Sequence, residues 1–558
     1  MINNDEIANN FTLLAKLMDI HGQNPFKAKS YAAAAFSVDK VATPLSEMAF
    51  NNIFSIKGIG ESAANRIIEM LQTGKLQILE DIILQTPPGI LEMLKIKGIG
   101  PKKIATIWKE LEIETLGELL YACNENRLTL YKGFGEKTQK NIKESIEFYM
   151  GTMGRYLYQQ VESFTLELEK ILKSALPFSF QITGEIRRQM EIIDSIDWVT
   201  NADSKQLKVF MESIQFNIIA EETDKLIFKN EHNITVQFWL SSEDHFQALL
   251  FKTSCSDSFL TEWNNTTQWN DQEFYKQEDD IFIAHHFSPI PAFQRESAEI
   301  IRQAKENDLS ALIEVDQIAG IIHSHSNWSD GGNSLIEMAN AAVSKGMQYL
   351  VISDHSKSAF YANGLSIERV MAQHEEIAEI NQKIAPFKIF KSIESDILND
   401  GNLDYPDEVL NCFDLVIASV HTNLKMSEEK ANARLLKAIE NKYTSILGHM
   451  TGRLLLSRAG YPVNHELIID ACAANGVVIE LNAHPRRLDI DWRWIEKALK
   501  KNVLISINPD AHTIDGYDDC KYGVLVAQKA GLKKQQNLSS FNLKEFEQFI
   551  ATQKTKRS

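Results

Sequence analysis

The chain has 558 residues, of which 44% are hydrophobic and 24% charged, a balance that supplies sizeable cores and excludes a mainly disordered or fibrous protein. Its net charge of −17 argues against non-specific nucleic-acid binding by the chain as a whole, so any grip on DNA has to come from local features. No apolar run is long enough to span a membrane, the opening is polar, and the five cysteines are scattered with no C-x-x-C pair; the expectation is a cytoplasmic chain without disulfides, membrane segment or cysteine-based zinc site.

Residues 1 to about 150 predict short amphipathic helices. Within them one pattern occurs three times: Ile56-Lys57-Gly58-Ile59-Gly60, Ile96-Lys97-Gly98-Ile99-Gly100 and Tyr131-Lys132-Gly133-Phe134-Gly135. Each precedes a helical stretch, over Glu61–Leu71, Pro101–Leu111 and Glu136–Tyr149. Paired glycines allow a tight turn between two helices, and the apolar residue between them anchors that turn in the core. The backbone N–H groups at the start of the next helix are then free to hold a phosphate. The pattern resembles the helix-hairpin-helix motif, which grips DNA backbone without reading sequence. That likeness makes Gly58, Gly60, Gly98, Gly100, Gly133 and Gly135 candidate DNA-binding residues, with Lys102 and Lys103 beside the second copy.

From 151 to 310 the pattern is mixed. Strands are predicted at Phe178–Thr183, Ser195–Thr200, Leu226–Lys229 and Ile234–Leu240, and helices at Gly154–Ser174 and His245–Phe251. Asn264–Asp280 is polar, and the proline-bearing stretch from Ser288 reads as an extended connection.

After residue 317 strands and helices alternate. Apolar runs at Tyr349–Ile352, Asp414–Ser419, Ser445–Leu447, Val477–Leu481 and Val503–Ile507 are separated by helical stretches such as Ser334–Lys345 and Glu428–Asn441. This predicts a βα-barrel-like fold of parallel strands, whose chemistry sits at the C-terminal strand ends. Metal-ligating residue types gather at those ends: His323, His325, Asp330, His355, Glu394, His421, His449, Asp510 and His512. His323 and His325, two apart, are expected on one side of an extended segment. Six of the nine histidines after residue 316 belong to this set, a concentration that packing or solvation does not explain. Mixed imidazole and carboxylate ligands suit manganese, zinc or iron rather than calcium or magnesium, and nine ligands suffice for more than one ion. The chemistry they point to is hydrolysis by metal-activated water, with phosphate oxygens held between ions. Arg453, in His449-Met-Thr-Gly-Arg453, is a weaker candidate for a phosphate clamp.

The C-terminal half resembles the PHP (polymerase and histidinol phosphatase) domain, through H-x-H…SDG, SDHS, E-x-D, SVH, GH-x-TGR and NPDAH. With three helix-hairpin-helix motifs ahead of it, the whole chain resembles the bacterial family X DNA polymerases. The resemblance implies an N-terminal helical domain at 1–85, a fingers-like helical domain at 86–150, a nucleotidyltransferase-like palm at 151–242, a thumb at 243–310 and a PHP phosphoesterase domain at 317–558. It also implies three divalent ions in the PHP site, DNA as partner, and a 3′–5′ exonuclease or related DNA-end activity. One departure is Ile321, where the family often has aspartate just before the first histidine.

The polymerase motif departs further. The family's palm carries glycine-serine, two arginines, then aspartate-x-aspartate. Aligned on Gly184 and Arg187-Arg188, the first catalytic aspartate becomes Ser195 and only Asp197 remains. Asp194 lies three residues from Asp197 and so faces the other way on a regular strand. Gln237 stands where the third carboxylate is expected, Glu185 replaces the serine near the triphosphate, and Thr253-Ser254-Cys255 replaces threonine-glycine-serine. A catalytically inactive, DNA-holding polymerase remnant is expected. Arg66 occupies the position of the family's lyase lysine, and a guanidinium that stays protonated is no amine nucleophile. A polymerase working through displaced carboxylates and a small-molecule phosphatase of histidinol-phosphate type are the alternative readings.

Overall fold

The computed structural model describes all residues except 1, 42, 97, 152, 153, 307, 308, 310 and 558; Lys97 of the second repeat therefore lies outside the described residues. The chain divides into two compact units, Met1–Cys123 with Leu128–Glu147, and Asn124–Arg127 with Phe148–Ser558.

The first unit is helical. Helices Asn4–Ile20 and Pro25–Asp39 pack through Phe11, Leu14 and Met18 against Tyr31, Ala34 and Val38, with Phe11 stacked on Tyr31 at 5.5 Å. The three glycine repeats adopt one conformation. Gly58, Gly98 and Gly133 have φ of +91°, +91° and +95°, in the left-handed region that favours glycine. Ile59, Ile99 and Phe134 are buried, and their backbone N–H groups close onto the carbonyls of Ile56, Ile96 and Tyr131. The second glycine of each pair then leads into a helix, Glu61–Thr73, Pro101–Lys109 or Glu136–Gly151.

The second unit opens with strands β1 (Tyr156–Leu157), β2 (Phe180–Thr183), β3 (Ile192–Ile193), β4 (Ile196–Thr200), β5 (Asn217–Glu221), β6 (Lys225–Lys229) and β7 (Thr235–Leu240). β1 and β3 pair with each other, and the rest form a sheet in the order β2-β4-β7-β6-β5. Only β4 and β7 run parallel, with Asp197 opposite Gln237. Helices Phe246–Thr253, Asp257–Thr267, Asp279–Ala284 and Ala298–Lys305 follow, around a core that includes Phe251, Phe259, Trp263 and Phe282. Helix Asp257–Thr267 extends into the stretch expected to be merely polar, because Phe259 and Trp263, four apart, bury one face while its asparagines and threonines face out.

Seven parallel strands complete the unit: β8 (Gly320–Ser324), β9 (Tyr349–Ile352), β10 (Lys388–Asp396), β11 (Leu415–Ser419), β12 (Ile446–Leu447), β13 (Val478–Asn482) and β14 (Ile505–Asn508), paired in sequence order. Ser324 bridges Ala511, so the chain just after β14 returns beside β8 and the sheet curves round as a barrel. One set of strand side chains, including Ile322, Val351, Phe390, Ile417 and Val478, packs with Leu538, Phe546 and Ile550 from the C-terminal segment. A second set, including Ile321, Leu350, Ile393, Val416 and Ile507, packs among the surrounding helices. β8 and β10 were not among the apolar runs because they carry His323, Ser324, Lys391, Ser392 and Glu394.

Candidate metal centre and nucleic-acid interface

The C-terminal strand ends bring all nine predicted ligands together. Eight are buried and His421 is partly so. Glu394, on β10, is the hub. Its Oε1 lies 3.0 Å from His449 Nε2, 3.1 Å from His421 Nε2 and 3.3 Å from His323 Nε2, and its Oε2 lies 3.0 Å from His355 Nδ1 and 3.7 Å from His325 Nε2. Asp510 Oδ1 is 3.0 Å from His325 Nε2 and 3.4 Å from His323 Nε2. Asp330 reaches His512 Nε2 at 3.5 Å and His355 Nε2 at 3.6 Å. Three groups have ligand atoms within 4.8 Å of one another: His325, Asp330, His355 and His512; His323, His325 and Asp510; and His355, Glu394 and His421. His449 joins them through Glu394.

His323 and His325 do not arrive by simple strand alternation. β8 shifts register against β9 between Ile321 and Ser324, and His323 itself has φ of +62°. This left-handed residue breaks the two-residue period and turns both rings into the cluster, their centroids 5.2 Å apart. Asp510 and His512 reach the same place because the chain after β14 adjoins β8, with His325 N–H donating to Ala511 O at 2.8 Å.

The cluster fits cations. Buried His323 Nε2, His325 Nδ1, both nitrogens of His355, His512 Nε2, Asp330 Oδ2 and Glu394 Oε2 make no hydrogen bond. An unsatisfied buried polar group costs about 1–3 kcal/mol, so such a concentration of them is characteristic of a ligand-binding site. The electrostatics agree. Burial opposes charge on His323, but Glu480, Asp510 and Glu394 outweigh it and raise its pKa well above the imidazole range. Burial likewise opposes charge on His421 and His512, yet neighbouring carboxylates lift each to about 10. Burial and the neighbouring His512 and His355 instead pull His325 down to about 4. The carboxylates thus call for positive charge in their midst, which divalent ions supply.

Arg453, the expected clamp, is committed elsewhere. Its guanidinium donates to Arg487 O at 2.9 Å, to Leu488 O and to Asp491, so it braces the 487–491 loop rather than the cluster. The arginine beside the site is Arg487, whose Nε is 3.6 Å from Asp510 Oδ2. Sequence reasoning also missed Asp354, which gathers Ser326, Ser329 and Gln373 around the Asp330 loop, and Asp396 and Glu480 behind His421 and His323. A signal was present: Asp396 follows Glu394 by two on one strand, and Glu480 interrupts an apolar strand. Ile321 is fully buried against the barrel helices.

In the palm, Ser195 Oγ donates to Asp197 Oδ1 at 2.7 Å, and Gln237 Nε2 donates to Ser195 Oγ at 2.5 Å. Gly184 has φ of +63°, and any Cβ there would meet Asp197 Oδ2 at 2.7 Å. Asp194 is exposed and paired with Arg155 at 2.6 Å, while its N–H donates to Glu185 at 2.7 Å. Arg187 is held by Glu278 at 2.6 and 2.8 Å, and Arg188 by Glu296 at 3.1 Å. Among the described residues, the groups able to hold a metal all lie in the barrel.

In the helical unit, Gly60 and Gly100 begin their helices without a side-chain cap, leaving first-turn N–H groups for another acceptor. Lys102 is exposed; Lys103 Nζ lies 5.7 Å over the Phe134 ring, linking the second and third turns. Arg66 pairs with Glu69 at 2.6 Å.

Comparison with known proteins places this architecture. A helix-hairpin-helix domain model matches residues 2–76, and a SAM-like helix-hairpin-helix tandem model matches residues 90–147. Probable phosphatases of Caldanaerobacter subterraneus subsp. tengcongensis and Thermoanaerobacter sp. (strain X514) are 29% and 27% identical over 29% and 38% of this chain, and over 62% and 85% of their own lengths. The DNA polymerase/3′-5′ exonuclease PolX of Bacillus subtilis (strain 168) is 32% identical over 96% of this chain and 97% of its own length. With helix-hairpin-helix domains first along the sequence, a five-stranded mixed sheet next and a histidine-rich barrel last, the chain belongs to the PolX family.

Proposed function

We propose that this chain is a metal-dependent phosphodiesterase that digests DNA from the 3′ end, in repair, with three divalent ions of manganese, zinc or iron in the barrel mouth. The observation that carries the reading is Glu394, a single buried carboxylate facing five imidazoles within 3.7 Å. A carboxylate has two oxygens and imidazole one free lone pair, so Glu394 is the residue that could serve adjacent ions. His323, His325, Asp330, His355, His421, His449, Asp510 and His512 complete the ligand set. Bound there, divalent ions lower the pKa of water toward neutrality and neutralise phosphate charge, so no protein nucleophile is required. The chain's own residues orient the ligands and exclude bulk water from a site that is almost wholly buried. The glycine turns at 58–60, 98–100 and 133–135, with Lys102 and Lys103, hold DNA backbone without sequence preference.

The palm and thumb, read as residues 151–242 and 243–310, lack polymerase activity. Ser195 and Gln237 satisfy Asp197 with neutral groups, and exposed Asp194 is tied to Arg155, so no displaced carboxylate restores a two-metal site. Arg66 leaves no lyase amine at its position. The five cysteines are free, and among the described residues no helix is long and apolar enough to cross a membrane.

The test is a 3′-labelled and a 5′-labelled primer–template incubated with Mn²⁺, with and without nucleotides. Wild type should shorten the primer from its 3′ end and fail to extend it, and Glu394→Ala and His323→Ala should lose both digestion and bound metal. Full digestion and full metal content in Glu394→Ala would overturn the reading. Robust extension abolished by Asp197→Ala would overturn its polymerase half.

A further inference from the structure

We infer that Glu480 and Asp396 are positioning residues, each fixing through one ring nitrogen the direction in which a histidine offers its other nitrogen to metal. The inference rests on the metal site proposed above. Glu480 Oε2 lies 2.6 Å from His323 Nδ1, and Asp396 Oδ1 contacts His421 Nδ1. A neutral imidazole has one N–H and one lone pair. With Nδ1–H donated outward to a carboxylate, Nε2 is the nitrogen that faces inward, and its lone pair becomes available when a cation displaces the Nε2 proton. That is how both rings stand: His323 Nε2 and His421 Nε2 lie 3.3 and 3.1 Å from the same oxygen, Glu394 Oε1.

Glu480 acts on more than one ligand. It also accepts from the His449 backbone N–H at 3.1 Å, Asn482 Nδ2 at 3.1 Å and Asn508 Nδ2 at 2.8 Å. Four donors from β8, the end of β12, β13 and β14 thus converge on a side chain with no solvent exposure. Donors on all sides require an acceptor-only group, which the ionised carboxylate is and its amide is not. The ring that Glu480 engages belongs to a residue in the left-handed backbone conformation, at φ of +62°, which costs a non-glycine residue of order 1–3 kcal/mol unless its surroundings enforce it. Asp396 is held in turn: Ser358 Oγ donates to its Oδ2 at 2.7 Å, and its backbone N–H donates to Ser356 Oγ at 2.9 Å.

Charge supplies a second argument. Asp330, Glu394 and Asp510 are the only carboxylates in the proposed ligand set, too few to balance three dications. Glu480 and Asp396 add two negative charges directly behind the imidazoles, where they strengthen the ligands without occupying coordination positions.

The experiment compares the full chain with Glu480→Gln, Glu480→Asp and Asp396→Asn. Each is equilibrated with Mn²⁺ or Zn²⁺ over a range of buffered free concentrations, and bound metal is measured by elemental analysis. Circular dichroism and melting of the metal-free proteins are recorded in parallel. Glu480→Gln and Asp396→Asn should each bind metal about 10–100-fold more weakly than wild type, with metal-free folds retained, and Glu480→Asp should recover part of the loss. Should Glu480→Gln fail to fold, Asp396→Asn carries the test, since that side chain serves His421 alone among the imidazoles. Wild-type metal affinity in folded Asp396→Asn would overturn the inference, and so would loss of fold in both neutral variants, which would make these carboxylates structural. A wild-type protein that binds no metal would instead overturn the proposed metal site itself.

Discussion

The palm and the barrel mouth both bury an acid on a strand and surround it with polar side chains, yet they are opposite kinds of site. Around Asp197 the hydrogen bonds close on themselves: Gln237 donates to Ser195 and Ser195 to Asp197. Burial pushes Asp197 up to about 6, and Ser195 and Trp239 offset that only in part. Around Glu394 the neighbours are imidazoles, several with ring nitrogens that bond to nothing, and although burial opposes its charge, His421, His323 and His355 hold its carboxyl well below the usual range. A network whose donors and acceptors pair off is complete as folded. A cluster of ionised acids and unsatisfied nitrogens is complete only with cations. The contrast separates a closed hydrogen-bond network from a cluster that calls for cations.

Four changes should break or sharpen that contrast, the largest first. Asp330→Asn should lower 3′ digestion at least about 100-fold and lower metal content, since even an outer partner of a ligand is worth that much; digestion and elemental analysis of the same preparation check it. Returning carboxylates to the palm, as Ser195→Asp with Gln237→Asp, should place three acids together without a counter-charge and destabilise the protein by about 3 kcal/mol. Urea denaturation should show Mn²⁺ recovering that loss in the double variant through its palm, with digestion unchanged. Glu278 supplies a third, in acid. Burial opposes its charge, but Arg295 and Arg187 win and lower its pKa from 4.5 to about 2. Its contribution, of order 3 kcal/mol, is therefore present above pH 4.5 and lost as pH falls toward 2, and Glu278→Gln should remove that part of the slope in denaturation midpoints. The smallest effect belongs to the hairpins. Gly98→Val with Gly100→Val forces a β-branched residue into φ of +91°, at a cost of about 1–2 kcal/mol. DNA affinity should fall about tenfold for every sequence alike, with hydrolysis of a small phosphoester unaffected.

Much of this arrangement is legible before folding, for identifiable reasons. The nine clustered residues stand out because histidines and acids at the ends of apolar runs have no packing role. The hairpin turns stand out because glycine two apart is repeated three times with an apolar residue between. β9 matches its predicted bounds, Tyr349–Ile352, because it is wholly apolar. β8 and β10 escape the same reasoning because they deliver ligands and carry polar residues inward. The turn at His323 is equally hidden, since a left-handed histidine leaves no mark on hydrophobic periodicity. Arg453 misleads for another reason: a guanidinium four residues from a ligand looks like a phosphate clamp, and only the folded 487–491 loop shows what occupies it. Glu480 and Asp396 are visible as acids, but their pairing with His323 and His421 depends on which strands become neighbours.

His325 and Asp510, 185 residues apart in the chain, meet at 3.0 Å. No short stretch of the unfolded polypeptide contains the whole constellation, so on the proposed function metal would bind the folded barrel far better than the open chain. Ligands that discriminate in this way stabilise by mass action, by about 4 kcal/mol when free metal exceeds its dissociation constant a thousandfold. The barrel's resistance to unfolding, and with it the lifetime of the enzyme against proteolysis, becomes a readout of how much metal the cell holds available. On the proposed metal site, a metal-starved cell would leave these buried acids and imidazoles without their counter-charge, the first source of instability, and the chain would be cleared when it carried no ions.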